Sequence, residues 1–240
     1  MNAQNHNRFY LPPGSVSDNV FSITGDEFQH AKVKRLNPGV VITAVDGAGN
    51  EYRGEITSIS KDTLAAMIIE TIKHPPSALK VYLGIGIIRP GPMSFAVEKA
   101  VEAGVWQIIP LETRFSERKL SDKDLVRLNR ISISALKQSG RVFLPEVTPV
   151  RTLTEVIDYH AGQSGILFAD IEGKPLLSHN ISFGSALILV GPEGGFSPEE
   201  RDYLLEQGAI PVNLGRNRFR TETAALVAVA GLMMNCGAEI

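Results

Sequence analysis

The chain of 240 residues carries a formal net charge of −2 and 43% hydrophobic residues, enough for one large or two small domains with apolar cores. No apolar run approaches the roughly twenty residues that span a bilayer, and the polar start over 1–8 has no signal-peptide core. The single cysteine excludes an internal disulfide and a cysteine metal cluster, and the five histidines show no metal-ligand spacing. We expect a cytoplasmic enzyme that uses no metal and contacts no membrane.

The first part of the chain, up to the linker His74-Pro75-Pro76-Ser77, has the pattern of a small β-barrel. Thr24 and Glu27 have capping-box spacing and predict a helix over Asp26–Arg35. Arg8-Phe9-Tyr10 has two interpretations, an RNA contact with aromatic stacking or a buried amino-terminal strand. Three strands are predicted, Val40–Val45, Glu51–Ser60 and Leu64–Ile72.

After the linker, predicted strands and helices alternate, which is typical of a parallel sheet covered on both faces. The predicted strands are Lys80–Ile87, Trp106–Leu111, Ile166–Asp170, Ala186–Val190 and Ile210–Leu214. The predicted helices are Met93–Ala103, Ser121–Ser139, Pro198–Gln207 and Glu222–Asn235. We therefore divide the chain into domains over residues 1–74 and 75–240.

The sharpest local signal is a glycine-rich turn between a buried strand and a helix. Gly191-Pro192-Glu193-Gly194-Gly195-Phe196 is followed by Ser197 and Glu200, whose spacing predicts a capping box at the start of the helix. The same order of strand, loop and helix recurs at Leu214-Gly215 and Arg220-Thr221-Glu222-Thr223-Ala224. Two such turns beside a parallel sheet form a shelf where open α/β folds place their ligands.

The glycine-rich turn lacks the residues of the common nucleotide-binding loops. A P-loop needs Gly-Lys-Ser or Gly-Lys-Thr entering the helix, whereas here Gly195 precedes Phe196. The Rossmann spacing fails as well, because Arg89 stands where a third glycine should follow Gly84 and Gly86. Main-chain groups of the turn could still bind an adenine edge without phosphate contacts, and a tight surface turn is the alternative.

Basic residues concentrate in two places although the net charge is slightly negative. Between Leu111 and Arg151, nine Lys and Arg residues stand against five Asp and Glu, and Arg216, Arg218 and Arg220 form a second cluster. Such patches attract phosphates through their local potential, and they predict an RNA-binding face. For the helix within the first patch, a solvated helix face is the alternative.

The two turn sequences resemble the signature loops of the ribosomal small subunit methyltransferase E family, which belongs to the trefoil-knotted SPOUT methyltransferases. Three further segments resemble the family in the expected order, His30–Arg35, Glu98–Val105 and Ala135–Arg141. The resemblance implies an α/β fold class, with a SPOUT-type trefoil-knotted parallel-sheet methyltransferase domain over 75–240. It implies a PUA-like, RNA-binding β-barrel over 1–74. The knot follows from the resemblance alone, since local patterns cannot reveal one.

The chain departs from the family pattern at three positions. Lys137 stands where an acidic residue is expected, Ala103 where Leu is expected, and Asn217 where many members carry Arg. Arg216 and Arg218 flank Asn217 and supply charge beside it. The departures therefore concern substrate contacts more than the cofactor shelf.

The resemblance implies methylation of N3 of one uridine in 16S ribosomal RNA of the small subunit, with S-adenosylmethionine as methyl donor and a homodimer as the assembly. Alternative functions are methylation of another ribosomal or transfer RNA nucleotide, or non-catalytic RNA binding in ribosome assembly.

The closing helix Thr223–Met234 is part of the dimer interface or part of the core, and Phe168 is near the pocket or a core aromatic. The expected cofactor-binding residues are Leu189, Val190, Gly191, Pro192, Glu193, Gly194, Gly195, Leu214, Gly215, Arg220, Thr221, Thr223 and Ala224.

The methylation chemistry points to an arginine. Loss of the N3 proton leaves negative charge on the imide, which a guanidinium stabilises through fixed, paired donors. Arg220 is the first candidate for this role and Arg8 the second. Glu222 is a candidate general base, or alternatively a residue that serves the helix dipole. The expected RNA-binding residues are Arg8, Lys32, Lys34, Arg35, Arg127, Arg130, Arg141, Arg216 and Arg218.

Overall fold

The computed structural model describes residues 7–179 and 184–235, and the chain divides into two compact units. The first unit comprises Met1–Pro76 together with Leu136–Leu144. The second comprises Ser77–Ala135 together with Pro145–Ile240. The domain division from the sequence placed 136–144 in the second part of the chain, so the structure differs at this segment. The single cysteine, Cys236, lies outside the described residues.

The segment Leu136–Leu144 belongs to the first unit because hydrogen bonds hold it there. The Arg8 guanidinium donates through Nη2 to the carbonyl oxygens of Gly140 and Arg141, at 3.0 and 3.1 Å. These partners are 132 and 133 residues apart in the chain. A contact at that separation leaves no local signal in a sequence, which explains why the division by linker and composition missed it.

The first unit is a six-stranded sheet with one helix. Its elements are β1 (Arg8–Tyr10), β2 (Val16–Ser17), β3 (Val20–Ile23), α1 (Gly25–Val33), β4 (Val41–Val45), β5 (Asn50–Ile59) and β6 (Leu64–Lys73). The strand order is β1-β4-β5-β6-β3-β2, with β1 parallel to β4 and the other pairs antiparallel. Phe9, Phe21 and Phe28 pack with Ile42 and Ile56 in its core. The three predicted strands are confirmed as β4, β5 and β6.

The amino-terminal segment Arg8–Tyr10 adopts the second of its two interpretations, a buried strand. Phe9 is fully buried, and Arg8 is only 7% exposed although it is charged. Besides its two carbonyl partners, the Arg8 guanidinium pairs with Glu51 at 3.1 Å. A cation with three partners in the fold is occupied by them. These contacts give Arg8 a structural role in the first unit. Its contact with RNA or with the reacting base stays a prediction.

The predicted capping box at Thr24 is wrong, although the helix α1 forms. Thr24 makes no side-chain cap hydrogen bond. Glu27 instead accepts the Tyr10 N–H through Oε2 at 3.1 Å and pairs through Oε1 with Lys137 Nζ at 2.5 Å. Both charged side chains are largely buried, and a charged partner binds a buried carboxylate more strongly than a neutral donor does. The pair also accounts for Lys137, whose charge is met by Glu27.

The second unit is a seven-stranded sheet with helices on both faces. Its elements are β7 (Lys80–Gly86), α2 (Pro90–Glu102), β8 (Gln107–Glu112), α3 (Asp122–Ser139), β9 (Glu146–Val147), β10 (Arg151–Thr152), α4 (Leu153–His160), β11 (Gly165–Pro175), a 3₁₀ turn (Leu176–Ser178), β12 (Ser185–Val190), α5 (Pro198–Glu206), β13 (Ile210–Asn213) and α6 (Thr221–Asn235). The last four residues of α3 count with the first unit. The strand order is β10-β8-β7-β12-β11-β13, with β9 beside β8, and every pair is parallel.

Alternating side chains of β12 show why this sheet is covered on both faces. Ala186, Ile188 and Val190 pack in one apolar cluster with residues of α2 and α6. Leu187 and Leu189 pack in another cluster with residues of α4 and α5. A continuous apolar run on a strand fits burial from both sides. The predicted strand–helix alternation and parallel sheet are confirmed, and α6 contributes to the core.

Helix α4 is an element that the sequence analysis did not predict. It begins at a complete capping box, in which Thr152 Oγ1 accepts the Glu155 N–H at 3.3 Å and Glu155 Oε2 accepts the Thr152 N–H at 2.8 Å. Thr-x-x-Glu is visible in the sequence and could have revealed this start. With only eight residues, the helix shows too little apolar periodicity to be recognised by that pattern alone.

The histidine at the end of α4 is buried and neutral. His160 is 2% exposed, its Nδ1 lies 3.2 Å from Ser164 Oγ, and its Nε2 finds no hydrogen-bond partner among the described atoms. Burial lowers the pKa of His160 below its ordinary value. The unfolded chain therefore binds a proton at this residue as the pH falls through about 6.5, whereas the folded chain does not.

We expect the free energy of unfolding to fall as the pH is lowered below about 6.5, with at most about 1.4 kcal/mol per pH unit from His160. The loss should continue until the pH reaches the lower pKa of the folded state. Urea unfolding at a series of pH values, with wild type and His160→Asn, measures the effect. The variant cannot titrate at this position and should show the shallower dependence. Equal slopes in the two proteins would contradict the prediction.

Candidate active site

A cavity of about 1080 Å³ opens in the second unit where β12 and β13 end, beside the middle of β11. The glycine-rich turn after β12, the loop after β13 and the first residues of α6 form much of its wall. Ten of the thirteen expected cofactor-binding residues line it: Val190, Gly191, Pro192, Glu193, Gly195, Leu214, Gly215, Arg220, Thr221 and Ala224. The structure thus brings together the two turns that the sequence singled out.

Three expected cofactor-binding residues do not line the cavity. Leu189 is fully buried in the core cluster that includes Phe168. Since successive residues of a strand face opposite ways, Val190 lines the cavity and Leu189 does not. Gly194 is exposed and lies against Phe115, and Thr223 is partly buried in the first turn of α6. Fewer residues therefore line the cavity than the two sequence motifs predicted.

The middle of β11 provides a wall of the cavity that no pattern in the sequence indicated. Asp170 and Glu172 line the cavity, and Arg201 of α5 bridges them with N–O distances of 2.6 Å to each carboxylate. β11 lies between β12 and β13, and its pairing with β12 stops at Phe168 and Leu189. Asp170 and Glu172 follow just beyond that point, so they belong to the same site. That neighbourhood becomes visible only once the strand order is known. Phe168 is both a fully buried core aromatic and a border of the cavity.

Close main-chain contacts shape the glycine-rich turn. A Cβ atom at Gly191 would lie 2.8 Å from the carbonyl carbon of Gly195, a separation that side chains do not adopt. Gly195 itself has φ +75°, in the left-handed region that favours glycine. The predicted capping box is confirmed, because Glu200 N–H donates to Ser197 Oγ at 3.2 Å and Ser197 N–H donates to Glu200 Oε2 at 2.8 Å. The turn presents main-chain groups to the cavity and is anchored at the start of α5.

The glycine-rich turn is connected to three other loops by a group that we call the Glu193 tie, formed by Arg89, Glu117, Glu193 and Arg218. Arg89 Nη2 lies 3.1 Å from Glu193 Oε1, and Arg89 Nε lies 3.4 Å from Glu117 Oε2. Arg218 Nη2 donates to the carbonyl oxygen of Glu193 at 3.3 Å. The hydrogen bond to Glu193 and the charge of Glu117 raise the pKa of Arg89. The tie links the glycine-rich turn to the loops after β7, β8 and β13.

The two catalytic candidates near α6 differ in their access to the cavity. Arg220 is exposed and lines the cavity, and its carbonyl oxygen accepts the Ala224 N–H at 2.8 Å. Glu222 does not line the cavity, and its buried Oε2 has no hydrogen-bond partner among the described residues. It stands in the first turn of α6, where a carboxylate interacts favourably with the helix dipole. The arrangement therefore offers a cation, and not this carboxylate, to a ligand in the cavity.

The expected RNA-binding residues of the first unit differ in how available their charges are. Lys32 and Arg35 are exposed, whereas Lys34 and Arg141 are partly buried. Burial and the nearby charge of Lys137 lower the pKa of Lys34. Burial lowers the pKa of Arg141 to about 10. Of this set, Lys32 and Arg35 are the cations open to a polyanion.

The expected RNA-binding residues of the second unit are all exposed. Arg127 and Arg130 lie on α3 and line a second cavity of about 440 Å³ together with Val126. Arg216 and Arg218 lie in the loop after β13, and Arg218 lines the main cavity whereas Arg216 does not. Cations therefore stand both at the cavity and on the α3 face.

Residues 7–179 and 184–235 contain no group of three or more His, Cys, Asp or Glu side chains that could hold a metal ion. None of the helices in them is both long enough and apolar enough to cross a membrane.

Comparison with known families agrees with this fold and site. Residues 75–233 match the model of an RNA methyltransferase domain, and residues 23–69 match that of an RNA methyltransferase PUA domain. The fold is thus that of an RNA methyltransferase. The ribosomal RNA small subunit methyltransferase E of Bacillus subtilis is 31% identical over 228 residues, which cover 89% of each chain. The chain belongs to the ribosomal RNA small subunit methyltransferase E family.

Solved structures of relatives have the same fold. Ribosomal RNA small subunit methyltransferase E from Neisseria gonorrhoeae, bound to S-adenosylmethionine, is 32% identical with a TM-score of 0.85, covering 95% of this chain and 97% of that one. A methyltransferase from Legionella pneumophila in complex with the same cofactor is 26% identical with a TM-score of 0.85, covering 95% and 96%. The expected fold class is confirmed in its α/β methyltransferase domain of the SPOUT type, with a parallel sheet, and in its amino-terminal PUA-like domain, which is a mixed sheet. The trefoil knot stays a prediction.

Proposed function

We propose that this chain transfers a methyl group from S-adenosylmethionine to N3 of a uridine in 16S ribosomal RNA of the small subunit. The observation that carries the proposal is the cavity at which both signature turns meet. The chain that forms it belongs to the ribosomal RNA small subunit methyltransferase E family. The Neisseria and Legionella relatives, whose structures hold S-adenosylmethionine, support the choice of cofactor. The names of the curated relatives support small-subunit ribosomal RNA as the substrate.

The residues around the cavity fit this cofactor. Gly191 and Gly195 line the cavity without side chains, and Val190, Leu214 and Ala224 provide apolar walls. Such a pocket can hold a flat heteroaromatic ring between apolar atoms while peptide groups bind its edge. When bound, S-adenosylmethionine supplies a methyl group that its sulfonium centre activates, so the residues of the chain have to bind, orient and balance charge.

Arg220 is the residue that we propose to stabilise the reacting base. The N3 proton of uridine has to leave, and the resulting negative charge is shared with the two ring carbonyls. The Arg220 guanidinium lines the cavity, is exposed, and offers paired donors to that anion. Since Glu222 does not line the cavity, its position in the first turn of α6 supports the helix-dipole role over that of general base.

RNA recognition in this proposal uses cations of both units. Lys32 and Arg35 of the first unit and Arg218 of the second are exposed and suited to phosphate contacts. A homodimer and a cytoplasmic location complete the proposal. Leu177 and Met234, 68% and 67% exposed, are apolar side chains that contact between copies would cover. Sedimentation of the full chain in solution measures the assembly.

The proposal is tested by a methyl-transfer assay with labelled S-adenosylmethionine. The substrates are undermethylated small ribosomal subunits and, in parallel, naked 16S RNA, with digestion to nucleosides and mass spectrometry of the product. N3-methyluridine supports the proposal. Another methylated nucleoside contradicts the proposed substrate and favours the alternative of a different RNA position. Absence of cofactor binding contradicts the enzyme and favours the RNA-binding assembly protein.

The Glu193 tie predicts that Arg89→Ala weakens S-adenosylmethionine binding by a few-fold, because the glycine-rich turn loses an ionic support. Arg89 is 67% exposed, so the loss should shrink at high salt, where exposed charges are screened. Calorimetric titration of the cofactor at low and high salt measures this. Arg53→Ala is the matched control, since it breaks another exposed Arg–Glu pair, with Glu70 at 2.9 Å in the first unit. A loss that persists unchanged at high salt would contradict the ionic role.

A further inference from the structure

Phe219 is a large apolar side chain left open at the cavity. It lies in the loop between β13 and α6, lines the cavity and is 37% exposed. An aromatic ring exposed to water does not contribute the folding free energy that its burial would provide. Its position at the mouth of a ligand cavity indicates a binding role that the core packing of the second unit does not explain.

The ring of Phe219 is held in place by its own loop. A Cβ atom at Gly215 would lie 3.3 Å from Phe219 Cε2 and 3.4 Å from Cζ, so the tip of the ring rests on the main chain of Gly215. The preceding residue, Arg218, donates to the carbonyl oxygen of Glu193 in the glycine-rich turn. The following residue, Arg220, accepts the first α6 hydrogen bond from Ala224. The ring is therefore preorganised, which is what a stacking surface requires.

The residues beside Phe219 suit a nucleic acid strand. Arg218 and Arg220 flank the ring directly, and both are exposed. Aromatic rings bordered by cations are a common means of binding an unstacked base, because the ring stacks on the base while the cations bind its phosphates. The loop thus combines the two chemistries that a base turned out of an RNA helix needs.

Two flat rings enter this site under the proposed function, the adenine of the cofactor and the target base. The apolar walls suited to adenine are more buried, since Val190 and Ala224 are 2% and 8% exposed and Leu214 is partly buried. Phe219 lies instead on the exposed arginine loop. Resting on the proposed function, we propose that Phe219 stacks on the target uracil after it has turned out of the RNA.

The test compares Phe219→Leu, which keeps apolar volume but removes the ring, with Phe219→Tyr, which keeps the ring. At saturating S-adenosylmethionine, Phe219→Leu should raise the KM for the RNA substrate about tenfold, the scale of one base–aromatic stack. Phe219→Tyr should stay within about twofold of wild type, and the Kd for S-adenosylmethionine should be unchanged in both. Phe95→Leu is the matched control, because Phe95 is 44% exposed on α2 and does not line the cavity.

Two results would overturn the inference. Equal kcat/KM for RNA in wild type and Phe219→Leu would show that the ring does not contact the base. A weaker Kd for S-adenosylmethionine with unchanged RNA parameters would show that the ring stacks on adenine. A wild-type protein that methylates no uridine would contradict the proposed function instead. RNA affinity by filter binding would then test Phe219, with equal affinity of wild type and Phe219→Leu counting against it.

Discussion

Arg220→Ala should lower the rate of methyl transfer at saturating cofactor and RNA by about 100-fold or more, the usual cost of losing one preorganised donor to a developing anion. Arg220 is exposed and lines the cavity, and its hydrogen bond to α6 is made by the main-chain carbonyl oxygen, which accepts the Ala224 N–H. The fold and the Kd for S-adenosylmethionine should therefore stay close to wild type. Single-turnover methyl transfer and cofactor titration on the same samples measure the two quantities.

The conservative variant separates charge from geometry. Arg220→Lys keeps a cation but loses the paired, planar donors, so it should recover only part of the rate. Arg151→Ala is the matched control, an exposed arginine of the same unit that pairs with Glu155 and does not line the cavity. Full activity of Arg220→Ala would remove this residue from the mechanism. A large rise in the cofactor Kd would show that Arg220 serves binding and not the reacting base.

The parts of the site that the sequence predicted are those encoded within a few residues. The Ser197–Glu200 capping box, the glycines of the turn and the strand before it are neighbours in the chain, and the structure confirms the capping box and the strand. That two such turns meet at one cavity was predictable as well, because parallel strands end at one sheet edge. Local spacing together with one rule of sheet topology was enough for this.

The parts that were missed depend on partners distant in the chain. Glu27 looked like a capping residue by spacing, but Lys137 lies 110 residues away and takes its carboxylate. The partners of Arg8 were equally hidden, because Gly140 and Arg141, whose carbonyl oxygens it binds, lie 132 and 133 residues away. Asp170 borders the cavity because β11 lies between β12 and β13, an order that no local pattern encodes. Charged residues were thus the hardest to assign, since a single distant partner decides their role.

Gly86 offers a way to disturb the glycine-rich turn from outside the cavity. It ends β7 and does not line the cavity, yet a Cβ atom there would lie 2.5 Å from the Pro192 nitrogen and 3.0 Å from the Gly191 carbonyl carbon. These are main-chain and ring atoms, which cannot rotate away as a flexible side chain would. Gly86→Ala should therefore displace the turn and weaken S-adenosylmethionine binding by about tenfold or more, because overpacking of this kind costs about 1–3 kcal/mol.

Gly91→Ala is the matched control for that experiment, since the same substitution at the start of α2 meets no atom within 4 Å. It should leave the cofactor Kd and the thermal midpoint near wild type. In Gly86→Ala, a weakened Kd in a protein that still unfolds cooperatively would show that the position of the turn, and not a side chain in the cavity, governs binding. An unchanged Kd would mean that the main chain of the turn does not hold the cofactor. In that case other walls of the cavity would bind the cofactor, and the glycines of the turn would serve only its own packing.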